Sequence, residues 1–159
     1  MIIAGTGHRP DKLGGYGKDA HNNLVRVAFD YLTLAAPERV ISGGALGWDQ
    51  ALADAAIMQD IPLTMALPFE GFECKWPRAS QEFLHSLMNP ADVVFVCDPG
   101  YAPWKMQERN KWMVDNCTHV LALWNDTDGG TANCVRYAEK VGKPIINVWD
   151  NYIGKKECS

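Results

Sequence analysis

A chain of 159 residues, 47% hydrophobic and 21% charged, has the size and composition of one domain with a real core. Its net charge is −4 and no Lys/Arg run exceeds two residues, so a broad electrostatic footprint for DNA or RNA, and with it a nucleic-acid partner, is not expected. No apolar run reaches the roughly 18 residues of a membrane-spanning helix, no secretory signal opens the chain, and the five scattered cysteines suit a reducing cytoplasm rather than a disulfide framework.

The first element is the apolar run 1–5, which reads as a buried strand ending in glycine, followed by a long loop through residue 22. Leu24, Val27, Ala28, Tyr31 and Leu32 then recur at helical spacing. Residues 39–44 form a second strand, and a helix follows with Leu52, Ala55 and Ala56 on one face. Residues 62–69 are a third strand. The stretch 77–88 starts with Pro77 and stops before Asn89-Pro90, which suits a helix. A fourth strand spans 91–97, a helix 105–117 and a fifth strand 118–124. A helix over 130–142 turns Val135, Ala138 and Val141 inward, with Gly142 able to cap its end. A sixth strand covers 144–149.

Nearly all-apolar strands alternating with helices predict an α/β fold: a single Rossmann-like, doubly wound domain over 1–150. Its mostly parallel sheet has about six strands, with helices on both faces. The polar stretch 151–159 reads as a loose tail. Ligands of such sheets bind beyond the carboxyl ends of the strands, where this chain keeps many of its glycines.

Three loops at those ends carry chemistry. The first, 5–17, begins Gly5-Thr6-Gly7, but His8-Arg9-Pro10 replaces the third glycine of a dinucleotide fingerprint. No acid follows the second strand to hold a ribose, so NAD is disfavoured and no cofactor is implied. Arg9 offers planar, bidentate hydrogen bonds to a phosphate; the alternative is a salt bridge that pins the loop. His8 is either a ligand contact or a loop-packing residue. The second loop, 42–56, places Gly43, Gly44 and Gly47 before a helix whose free N–H groups favour an anion. Trp48 opens that helix, and Asp49 either complements its dipole or meets a sugar hydroxyl. The third loop is Asp128-Gly129-Gly130-Thr131, where a strand becomes a helix. Its glycines expose N–H groups, and Thr131 can cap the helix or bind an oxygen. An ordinary capped turn is the plain alternative.

The set of Gly7-His8-Arg9-Pro10, Ser42 to Asp49, Glu108-Arg109-Asn110 and Asp128 to Thr131 resembles the SLOG superfamily. More closely, it is similar to the superfamily's small single-domain bacterial and phage branch. The superfamily includes the Lonely Guy phosphoribohydrolases and the Rossmann-like domain of DprA proteins. The resemblance spans about residues 1–149 and implies a nucleotide, or a nucleotide-derived molecule, in the cleft. It implies that Gly43, Gly44, Gly47, Gly129, Gly130 and Thr131 surround its phosphate or sugar. Arg109 and Asn110 match the family's Arg-Asn pair; Arg109 then reaches the ligand or pairs with an acid. The Lonely Guy catalytic glutamate is replaced here by Cys134. If the chain is an enzyme, Asp49 is the first candidate for the catalytic carboxylate and Glu108 the second.

Other patterns are weaker. Tyr16, Trp48, Trp76 and Trp104 are candidates for a base-stacking wall, or for core. Cys134 lacks phosphatase spacing and reads as inert. The histidines and cysteines lack metal-ligand spacing, so no metal site is predicted. Two functions survive: a receptor or sequestering module for a nucleotide-like molecule, and an N-glycosidase acting on nucleoside 5′-monophosphates. The replaced glutamate favours the first. A cytoplasmic location is expected, and a homo-oligomer stays open.

Overall fold

The computed structural model of the chain describes residues 1–157; Cys158 and Ser159 lie outside the described residues. Six strands, β1 (Ile2–Gly7), β2 (Arg39–Ser42), β3 (Leu63–Leu67), β4 (Asp92–Phe95), β5 (His119–Leu123) and β6 (Ile145–Asn147), form one sheet in the order β4-β3-β2-β1-β5-β6. Every neighbouring pair is parallel. Among the described residues six α-helices accompany the sheet: α1 (Lys18–Ala35), α2 (Trp48–Met58), α3 (Arg78–Met88), α4 (Pro103–Asp115), α5 (Gly130–Lys140) and α6 (Trp149–Glu157).

Successive strand residues point to opposite faces, and the buried side chains divide accordingly. Ile3, Val40, Met65 and Leu121 pack against α1, α2, α3 and Tyr152 of α6. Ala4, Ile41, Ala66 and Val120 pack against Met113 and Val114 of α4 and Cys134 and Ala138 of α5. Both faces of the sheet are thereby covered, which is why its strands read as continuous apolar runs rather than alternating ones. This is the α/β doubly wound architecture expected from the sequence.

The strand order reverses at β1, which sits between β2 and β5. The chain leaves β1 toward one edge and returns beside it through β5. The loops after β1 and β5 therefore diverge, and the crevice between them opens at the carboxyl ends of the strands.

Several strands are a residue or two shorter at their ends than the sequence expectation, and three other boundaries differ from it. Strand β1 continues to Gly7, because the ladder with β5 extends to Gly7 opposite Leu123. Helix α1 starts at Lys18, well before the first periodic apolar residue, with Gly17 in extended backbone ahead of it and Asp19 in its first turn. The stretch expected to be a loose tail is helical as far as Glu157, and Tyr152 is 3% exposed within the main core. Among the described residues no helix is long and apolar enough to cross a membrane.

Candidate functional site

A polar cavity of about 300 Å³ lies in the crevice between the loops after β1 and β5. Ten residues singled out in the sequence line it together: Gly7, His8, Arg9, Asp49, Arg109, Asn110, Asp128, Gly129, Gly130 and Thr131. They come from the ends of β1 and β5 and from the starts or inner faces of α2, α4 and α5. Gly5, Thr6, Asp11, Lys12, Ala45, Met106 and Thr127 complete the wall.

The loops are tied to each other. His8 is buried, and its Nε2 lies 2.7 Å from Asn125 Oδ1 and 3.1 Å from the Asn125 backbone nitrogen. The His8 ring also meets Trp149 edge to face at 5.9 Å. Burial lowers its pKa, so a neutral imidazole is the resident form at neutral pH. Lys12 Nζ donates to Thr127 Oγ1 at 3.0 Å. His8 and Lys12 thus fasten the first loop to the fifth. Arg9 is exposed at the cavity and pairs with no acid among the described residues. At α5, Gly129 precedes the helix with φ 142° and no side chain caps it. Added Cβ atoms at Gly129 and Gly130 would meet no neighbour within 4 Å, so the first turn of α5 faces open space.

The second loop is arranged differently from the sequence expectation. Gly43, Gly44 and Gly47 do not line the polar cavity; each admits a close neighbour. A Cβ on Gly43 would fall 2.7 Å from Arg109 Nη1 and 2.8 Å from Asp49 Oδ2. On Gly44 it would strike Leu67, and on Gly47 the His8 carbonyl. The polar groups of this turn are used internally. Ser42 Oγ donates to the Asp49 carbonyl, Gln50 Nε2 to the Gly44 carbonyl, and the Arg109 guanidinium to the Gly43 carbonyl. The Trp48 backbone N–H is taken by the His8 carbonyl at 3.3 Å. Trp48 itself is fully buried beneath Gly7, where a Cβ would fall 2.5 Å from its Cδ1; a Cβ on Gly5 would instead strike Leu52. Glu108 points away from the cavity, exposed and 3.5 Å from Lys111.

Asp49 and Arg109 are the buried charges of the site, 8% and 5% exposed. Burial pushes the Asp49 carboxyl up to about 6, opposed by the Arg109 guanidinium and the Ala45 N–H. Burial likewise lowers the Arg109 pKa, opposed by Asp49. Arg109 is steered by the Gly43 carbonyl and by Asn110 Oδ1, 2.9 Å from its Nε. Cys134, at the position of the Lonely Guy glutamate, is 2% exposed and its thiol is pushed up to about 11 by burial. It carries no charge to lend a developing cation and no thiolate to attack with.

A second, larger cavity of about 650 Å³ adjoins the first and shares Arg9, Ala45, Met106 and Arg109 with it. Phe69, Phe72, Trp76 and Tyr101 line it, in edge-to-face contacts of Phe69 with Phe72 and Tyr101 and of Phe72 with Trp76. Of the four aromatics proposed for stacking, Trp76 alone lines this cavity. Trp104 is 60% exposed outside it, and Tyr16 stands over a separate groove beside α1. Phe69, Phe72 and Tyr101 were not singled out from sequence. The signal that could have found them is the aromatic, proline-bounded segment from Pro68 to Pro77, too short and irregular to be a strand or helix and placed at a strand's carboxyl end.

Fold and site together define a Rossmann-like α/β domain with a bipartite cleft, polar and glycine-lined on one side, aromatic on the other. The chain belongs to the YspA SLOG family, whose model matches residues 3–143. It is 29% identical over 136 residues to an uncharacterized SPbeta prophage-derived protein of Bacillus subtilis, YoqJ, covering 75% of this chain and 80% of that one. Among solved structures it superposes on DNA processing protein A (DprA) of Streptococcus pneumoniae with a TM-score of 0.67 at 20% identity, covering 91% of this chain and 48% of that one. It also superposes on the Helicobacter pylori protein of the same name, with a TM-score of 0.67 at 19% identity, covering 91% of this chain and 63% of that one. The chain thus spans about half and under two thirds of those two proteins, and the likeness is one of fold.

Net charge argued against a nucleic-acid partner, yet the H. pylori protein, whose structure is described with a single-stranded DNA binding mode, shares this fold over 63% of its chain. A charge of −4 summed over the whole chain does not describe one cleft, whose lining sets Arg9, Lys12 and Arg109 against Asp11, Asp49 and Asp128. It is no ground for excluding nucleic acid.

Proposed function

We propose that this chain binds a nucleotide or nucleotide-derived small molecule, as a receptor or sequestering module. The observation that carries the reading is the junction of the two cavities. The uncapped first turn of α5 offers backbone N–H groups and the positive end of a helix dipole to a phosphate, beside Arg9 and Arg109. Across those same arginines lies an aromatic chamber suited to the faces of a base. In this reading the phosphate belongs to Gly129–Thr131 and Arg9, the sugar to the stretch beside Asp49, and the base to Phe69, Phe72 and Trp76.

A second reading rests on Asp49. A carboxylate with a pKa near 6 at the place assigned to the sugar could stabilise an oxocarbenium-like transition state and orient water. The chain would then hydrolyse the N-glycosidic bond of a nucleoside 5′-monophosphate. The uncharged Cys134 weighs against this. A third, supported by the fold shared with the H. pylori protein, places the terminal nucleotide of a single DNA strand in the same cleft.

The discriminating experiment is mass spectrometry of molecules released from purified, denatured protein, with incubation against a nucleoside monophosphate panel and a short single-stranded oligonucleotide. A released nucleotide without turnover supports the receptor. Free base and sugar phosphate, abolished in Asp49→Asn, would replace it with the hydrolase. Tight binding of the oligonucleotide alone would replace it with the strand-end reading.

A further inference from the structure

The aromatic chamber is walled on one side by a segment with no ladder of its own. Between the end of β4 and the start of α4 the chain turns through Asp98, Pro99 and Gly100 to Tyr101. Among the described residues, the carbonyls of Asp98, Pro99 and Gly100 make no backbone–backbone hydrogen bonds. They converge instead on one side chain. Lys105 Nζ, in the first turn of α4, donates to Asp98 O at 2.7 Å, to Pro99 O at 3.3 Å and to Gly100 O at 2.7 Å. The lysine is 7% exposed. Its ammonium stands 5.5 Å from the centre of the Phe69 ring and 5.6 Å from that of Trp104, within cation–π range.

An ammonium has three protons, and here each has a carbonyl to meet. The lysine is not in contact with the cavity; Gly100 and Tyr101, which it bends into place, are. Gly100 sits at φ 105°, a conformation that glycine permits but that something must select. Phe69, under the ammonium, meets the Tyr101 ring at 6.4 Å. A single buried charge therefore sets both the backbone turn and the ring packing of that wall. The opposite wall is held separately, by Glu73 against His85 at 2.8 Å and by Gln81 donating to the Cys74 and Trp76 carbonyls.

We propose that Lys105 is a positioning residue that shapes the aromatic half of the ligand site and so sets affinity for the planar group without affecting affinity for the phosphate; this rests on the nucleotide reading above. Without the ammonium, the three carbonyls would turn toward water and the 98–101 segment would swing away from Phe69. The phosphate half, built from α5 and the first loop, has no contact with Lys105 and would stay as it is.

The test compares wild type, Lys105→Met, which keeps the stem and loses the charge, Lys105→Arg, which can still donate to carbonyls, and Tyr101→Ala. Calorimetry with adenosine 5′-monophosphate and with ribose 5-phosphate separates the two halves of the site. Backbone amide order parameters at 98 and 100–102, read by nuclear magnetic resonance, report the wall itself. In Lys105→Met they are expected to fall from the roughly 0.85 of rigid backbone to below about 0.6, and adenosine monophosphate affinity to fall about tenfold, as for the loss of one charge-assisted group. Ribose 5-phosphate binding is expected to hold within a factor of two or so. Lys105→Arg should recover most of both effects. Tyr101→Ala should reproduce the loss of nucleotide affinity with the order parameters at Asp98 and Gly100 unchanged. Equal losses for the two ligands, unchanged adenosine monophosphate affinity or unchanged order parameters in Lys105→Met would overturn the proposal. If wild type binds neither probe, the nucleotide reading fails by itself, and Lys105 is then judged on order parameters alone, where a flexible 98–102 segment in wild type refutes it.

Discussion

Two arginines meet at the junction of the cavities, and burial gives them different work. Arg109 is buried against the Gly43 carbonyl and beside Asp49, so its charge is part of the folded structure. Arg9 is exposed and holds no acid among the described residues. Replacing Arg9 with alanine should weaken nucleotide binding by about 1.5–3 kcal/mol, the span of charge-assisted hydrogen bonds, and leave the melting temperature of the free protein nearly unchanged. Titration calorimetry and thermal melts read the two effects separately, and a melting loss with intact affinity would make Arg9 a structural pin. Sequence could place both arginines at the sheet edge but could not rank their burial. Trp48, open in the sequence between a stacking wall and core, is core for a related reason: the start of a helix reads as surface, and nothing local reveals that Gly7 clears a slot for an indole. Glu108 failed likewise, because whether a helix face turns to the cleft depends on packing of α4 against α5.

At the scale of elements, the two glycine-rich helix openings looked alike in sequence and do different things. The turn before α2 is consumed by its own side chains, while the turn before α5 is open. An anion is therefore expected at α5 rather than shared equally between the two. Gly130→Asp tests this cleanly. A Cβ at this position meets nothing within 4 Å, and a carboxylate in the first turn of a helix is mildly stabilising, by roughly 0.3–1 kcal/mol. The variant should melt at or slightly above the wild-type temperature yet lose phosphate-dependent binding by tenfold or more. Unchanged nucleotide affinity in the folded variant would move the anion elsewhere. Strand and helix identities were legible because their apolar periods are long and consistent. The aromatic chamber was not, because its walls come from two irregular segments, Phe69 to Trp76 and Gly100-Tyr101, that only the β3–β4 pairing brings side by side.

For the whole molecule, the buried Asp49 couples folding to pH. Its pKa of about 6 in the folded chain lies above the roughly 4 of an unfolded aspartate. Between those values the folded state holds a proton that the unfolded state has released. Stability from this group is therefore full below about pH 4, falls as pH rises to about 6, and is absent above. Thermal melts from pH 4 to 8 should show wild type losing about 1–3 kcal/mol across that window relative to Asp49→Asn, whose amide cannot ionise. Parallel profiles for the two proteins would mean that folding does not raise the Asp49 pKa. The doubly wound order supplies the reason that such a group exists here at all. The strand reversal beside β1 opens a crevice at the sheet edge, and residues facing it are buried by fold yet within reach of a ligand.

The slot beneath that crevice also constrains how the family can drift. A Cβ on Gly7 would lie 2.5 Å from Trp48 Cδ1, and one on Gly5 2.4 Å from Leu52 Cδ2. Bulk at either position of β1 and bulk in the first turns of α2 occupy the same space. A lineage that gives up Gly7 must therefore give up the indole in step. Across aligned relatives, side-chain volume at these paired positions should be anticorrelated, with the double replacement outnumbering either single one.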